Sequence, residues 1–99
     1  MRFIKNIIDH IEDEIESAKE YAESYVEHHA RGNNTIAAKY KAMAEDELRH
    51  AMFFHEQAAK EIDEISKTYT PPAEMLEKWE HEHKEYVERV AWIKQMLSM

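Results

Sequence analysis

Helix-breaking residues are confined to two places in this chain. Gly32 is the only glycine, and Pro71 and Pro72 are the only prolines among 99 residues. With abundant Glu, Lys and Ala elsewhere, the composition predicts an almost wholly helical, all-α protein without sheet. At Arg31-Gly32-Asn33-Asn34 the glycine can supply a left-handed cap, and Asn34 or Thr35 can cap the helix that follows. So short a connection predicts an antiparallel helical hairpin. At Ser66-Lys67-Thr68-Tyr69-Thr70-Pro71-Pro72 the tandem prolines end the second helix, with Pro71 suited to the first position of a third after a Thr70 cap. The predicted helices span about 3–31, 35–66 and 71–97, within a single domain covering residues 1–99. A chain of this length buries only a modest core, so self-association is expected.

Each predicted helix carries an apolar stripe, and two of the stripes contain residues of another kind. In the first helix the heptad-spaced row reads Ile4, Ile7, Ile11, Glu14, Ala18, Tyr21 and Tyr25, with Ile8, Ile15 and Ala22 beside it. In the second it reads Ile36, Tyr40, Met43, Glu47, His50, Phe54 and Gln57, flanked by Ala37, Ala44, Leu48, Ala51, Ala58, Ile62 and Ile65. Glu47 and His50 form Glu-x-x-His, and side chains three apart share a helix face, so a carboxylate and an imidazole can converge on one ion. Acids in the centre of apolar stripes must be paired, hydrated or ligating. No Lys or Arg lies on either stripe to neutralise Glu14 or Glu47, which favours a shared metal site over a buried salt bridge.

Composition removes several alternatives. Asp and Glu number 21 against 13 Lys and Arg, a formal charge of −8, so nucleic acid is not an expected partner. The absence of cysteine excludes disulfides, zinc fingers, iron–sulfur and rubredoxin-type iron sites, and thiol catalysis. No long apolar run marks a signal peptide or membrane span, so the cytoplasm is the expected compartment and a membrane is not an expected partner.

The segment Glu14 to Tyr21, the helix-ending Gly32 and the run Ala42-Met43-Ala44-Glu45-Asp46-Glu47-Leu48-Arg49-His50-Ala51 resemble the ferritin-like superfamily, and most closely the diiron domain of rubrerythrins. In that family an inward Glu is followed seven residues on by Tyr, then by a Gly-containing turn and an Ala-x-Ala-Glu-x-Glu-x-x-His-Ala run. All of these align here without a gap, over less than half of the chain. A full ferritin-like chain has two such hairpins; this one has a single ligand set. It is similar in this to the encapsulated ferritins, whose dimers build one diiron site from a Glu and a Glu-x-x-His of each subunit. The resemblance thus implies a four-helix bundle completed by homodimerisation, with Glu14, Glu47 and His50 as metal ligands and Glu47 as the bridging carboxylate. It implies two irons per dimer, with manganese or zinc acceptable to the same side chains. The cysteine-bound iron domain usual in rubrerythrins is missing, and Gln95-Met96-Leu97-Ser98-Met99 does not resemble an encapsulin-targeting tail.

Other histidines and tyrosines are weighed as structural. The third helix should present Leu76, Trp79, His83, Tyr86, Val90, Ile93 and Leu97 on one face, packed on the hairpin or on a neighbouring chain. Its Glu80-x-x-His83 does not share that stripe, which leaves His83 a core histidine or an outer hydrogen-bond donor. His28 and His29 suit the end of the first helix, His55 suits packing, and Tyr21, Tyr25 and Tyr40 suit the core, with Tyr21 also placed to contact a ligand carboxylate. The expected function is a dimeric, ferroxidase-like diiron protein oxidising Fe(II) with oxygen or peroxide. The alternative is a non-enzymatic helical assembly module whose buried Glu and His are structural, pH-responsive or stapled by metal.

Overall fold

The computed structural model of the protein describes residues 2–99. Three helices follow one another: α1 (Arg2–Ala30), α2 (Asn34–Thr68) and α3 (Ala73–Leu97). There is no strand among the described residues. The chain is all-α, as its composition requires, and forms a rod 55 × 17 × 17 Å.

The first turn forms as its glycine dictates. Gly32 has φ +79°, the left-handed region open to glycine without steric cost. It closes α1 with two reversed hydrogen bonds, Asn33 N–H to the His28 carbonyl at 2.9 Å and Gly32 N–H to the His29 carbonyl at 3.1 Å. The residue preceding α2 is Asn33, whose carbonyl accepts from Ala37 N–H at 2.9 Å, so the helix starts one residue before the expected Thr35.

At the second break the helices part differently from expectation. Pro71 is not the first helical residue; Pro72 precedes α3 with φ −57° and ψ 138°, and the helix starts at Ala73. The reason is the tandem itself, since a residue before proline is driven out of the helical region. Instead, α2 continues to Thr68, where Ser66 and Thr68 hydroxyls bond back to the Ile62 and Ile65 carbonyls.

Packing uses the small-residue row of α2. Ala37, Ala44, Ala51 and Ala58 are buried together with Leu48 and Ile62, and the small size of the alanines lets α2 lie close against the isoleucine-rich face of α1. Val90, Ile93, Met96 and Leu97 of α3 join Ile11, Ile15, Ala18 and Leu48 in the main cluster. Met75 joins Ile4, Ile8 and Ile62 in a second one near the start of α1. Thus α3 packs on the hairpin within its own chain, chiefly against α1 and only lightly against α2. No helix is long and apolar enough to cross a membrane.

Candidate metal centre

The larger heptad row of α2 does not enter this core. With the alanine row turned inward, Ile36, Tyr40, Met43, Glu47, His50 and Phe54 fall on the flank of the hairpin that α3 leaves uncovered. Ile36 is 46% exposed and Met43 41%. Tyr21, Tyr40 and Phe54 lie half-buried along its margin, packed on the main cluster. The expectation that Glu47 and His50 occupy core positions therefore holds only in part: Glu47 is half-buried and His50 is exposed.

On that open flank the three expected ligands come together. Glu14 reaches across from α1, while Glu47 and His50 are presented by adjacent turns of α2. One ligand atom from each lies within 4.8 Å of the others, and this is the only such group of three or more His, Asp or Glu among the described residues. His50 Nδ1 is 3.5 Å from Glu14 Oε2 and 3.9 Å from Glu47 Oε2. The carboxylates are each 24% exposed and the imidazole 57% exposed, so water reaches the group from the uncovered side. Two carboxylates and one imidazole form a hard oxygen and nitrogen donor set with fewer donors than a divalent iron or manganese ion requires. The His50 imidazole thus lies within reach of both acids. Arg49, one residue earlier, is directed away and pairs with Asp46.

Aromatic rings bracket the group along the same flank. His10 stacks on Phe54 at 5.0 Å, one helical turn below Glu14 and His50. Tyr21 meets Tyr40 at 6.3 Å two turns above, and His28 stacks on Tyr40 at 5.4 Å with its Nδ1 buried and unpartnered. Tyr21 thus sits near the expected ligands in the fold, but no hydrogen bond from it to Glu14 or Glu47 is seen.

Two further constellations were not expected from the sequence. Glu82 of α3 is only 6% exposed and hydrogen-bonds the carboxyl group of Glu12 in α1. Burial, and then the adjoining Glu12, push its carboxyl up to about 8, against a smaller opposing pull from Arg89. Arg89 itself pairs with Glu16 at 2.8 Å. The clue in the sequence is weak: Glu82 lies one position off the apolar stripe of α3, where solvated acids are common. The second is a pair of histidines joining α2 to α3, His55 Nε2 to His83 Nδ1 at 2.9 Å. Burial and the neighbouring His83 lower the pKa of His55 below the ordinary imidazole value. His83 is exposed, not a core residue, and Glu80 forms no metal-ligand group with it. His81 is likewise apart from any such group, with Glu85 at 3.6 Å.

No family model, curated protein or solved structure matches this chain.

Proposed function

We propose that the chain is half of a ferritin-like bundle, in which two copies join their open flanks and hold two irons between Glu14, Glu47 and His50 of each. The observation that carries this reading is the convergence of the three ligand types on a flank that α3 leaves open. A lone triad offers too few donors, and apolar residues along the same flank, Ile36 and Met43 among them, lack cover. A second copy related by a twofold axis supplies both deficits, since a twofold interface presents the same patch to itself. The resemblance of Glu14–Ala51 to the rubrerythrin diiron hairpin supports the same assembly.

In such a dimer each residue has a distinct task. The carboxylates of Glu14 and Glu47 would supply hard oxygen donors, Glu47 being the one that the resemblance implies is shared between ions, and His50 would add a nitrogen donor. Their placement on rigid helices fixes the donor spacing before any ion arrives. Joining the flanks withdraws the carboxylates from water and strengthens their hold on cations. The chemistry that bound iron would supply is ferroxidase-like: two Fe(II) would give up one electron each, which with two protons from solvent would reduce dioxygen to hydrogen peroxide, or hydrogen peroxide to two waters. The chain has no cysteine with which to relay electrons onward.

Anaerobic addition of Fe(II) followed by oxygen or peroxide tests the reading. Ferric absorbance should rise faster than in buffer, saturating near two irons per dimer. Glu14→Ala and His50→Ala should slow it sharply, and His81→Ala should leave it unchanged. The competing reading is an assembly module whose triad is an ion pair, favoured by the 3.5 Å approach of His50 to Glu14. It takes the place of the first if the protein oxidises iron no faster than buffer.

A further inference from the structure

We infer that His55 and His83 form a second, separate metal site, a two-imidazole clamp between α2 and α3 for a borderline divalent transition ion such as Zn(II). The two nitrogens facing each other, Nε2 of His55 and Nδ1 of His83, are 2.9 Å apart. Two ligands about 2.0–2.1 Å from one ion stand about 2.9 Å apart at a right angle and about 3.4 Å apart at the tetrahedral angle. The rings are therefore within about half an ångström of ligating distance for either geometry.

The pairing also has the right proton inventory. As a hydrogen bond, one of the facing nitrogens carries the proton and the other accepts it. When the donor ring takes its other tautomer, the proton moves to its remote nitrogen and two lone pairs face the same point. No proton is gained or lost, and the ion replaces the bridging hydrogen while lying to the side of the line between the two nitrogens, about 2.0–2.1 Å from each.

The surroundings hold the rings in place. His55 stacks on Tyr86 at 4.1 Å with the planes 10° apart, and lies 5.0 Å from Trp79. Trp79 also faces His83 at 6.3 Å. A ring packed in this way has less rotamer freedom to lose on binding. Glu56 acts electrostatically on both His55 and Tyr86, which biases the neighbourhood toward a cation. His83 is exposed, so water can fill the remaining coordination positions. Imidazole pairs favour Zn, Ni and Cu over the harder ions that two carboxylates suit, so this site and the Glu14–Glu47–His50 group differ in preference.

The site also lies where the fold has least of its own. Since α3 packs less extensively on α2 than on α1, an ion shared by His55 and His83 would reinforce the weaker of the two contacts that hold α3. Binding to the folded chain alone then raises its melting temperature.

The test uses the full chain carrying Glu14→Ala, Glu47→Ala and His50→Ala together, so that the other candidate centre cannot contribute. Calorimetric titration with Zn(II) should show one ion per chain and a higher Tm. Adding His55→Gln or His83→Gln should weaken binding at least about tenfold, while adding His81→Gln should not. In the unsubstituted protein, the imidazole nitrogen resonances of His55 and His83 should shift together upon zinc addition; this readout stands even if a Gln variant fails to fold. Zinc uptake that survives His83→Gln unchanged, or resonances of the pair that stay put as zinc is added, would overturn the inference.

Discussion

The α1–α2 hairpin has two flanks, and their acids meet different fates. On the flank covered by α3, Glu82 and Glu12 are pressed together in a carboxyl pair, and Glu82 is almost wholly buried. On the uncovered flank, Glu14 and Glu47 share His50 and remain in contact with water. The first pair can be accommodated by retaining a proton, because deprotonation would place two negative charges side by side. The second has the His50 imidazole within reach of both acids, and the three ligand atoms converge on one place. Burial by the chain's own helix thus makes a proton-dependent contact, whereas leaving a flank open keeps acids available to an ion.

The largest effect should come from the covered flank. Ile15→Ala or Ile93→Ala removes side chains that are 1% exposed, and should cost about 2–5 kcal/mol of folding stability. Chemical denaturation with and without metal would measure it. An equal loss on replacing Met43 by Ala in the isolated chain would erase the distinction between the flanks.

Next in size is the metal response of the open flank. Glu47→Ala should lower affinity for Fe(II) or Mn(II) by at least about 10–100-fold and abolish the metal-dependent rise in Tm. The metal-free variant is expected to fold as well as the parent, since a half-buried acid has been removed. Parent-like iron affinity in Glu47→Ala would remove Glu47 from the ligand set.

The covered acid pair should be visible through pH. Because the folded state raises the Glu82 carboxyl from 4.5 to about 8, the folded chain holds this proton more tightly than the unfolded chain does. Its stabilising contribution is complete below about pH 4.5 and is lost progressively as pH rises to about 8 and beyond. Metal-free protein should lose Tm across this window by about 4–8 °C for each kcal/mol lost. Glu82→Gln, which keeps the shape and cannot ionise, should flatten that part of the profile; an unchanged slope would exclude Glu82 as its source.

The smallest effect on folding is expected at the rim of the open flank. Ile36→Thr should change the stability of the isolated chain by no more than about 0.5 kcal/mol, yet weaken self-association, as equilibrium sedimentation would report.

How much of this was legible in sequence depended on which physical rule applied. Gly32 and the tandem prolines located both breaks because each acts through its own backbone. At Pro71 two rules compete, the proline preference for a helix start and the restriction that Pro72 imposes on the residue before it, and the second prevails. Periodicity placed Glu14, Glu47 and His50 on facing stripes. It did not distinguish which of the two α2 rows faces the core, because Ala37, Ala44 and Ala51 look less hydrophobic than Ile36 and Met43. Close helix approach reverses that order. Glu82 and the His55–His83 pair were not legible, since both depend on the rotation of α3 against the hairpin, which no local pattern fixes.

Native mass spectrometry of the protein loaded anaerobically with Fe(II) tests the central claim most directly. The account predicts a dimer carrying two irons, which loses both in Glu47→Ala. A folded monomer as the only species with iron present, or iron retained equally by Glu47→Ala, would contradict it.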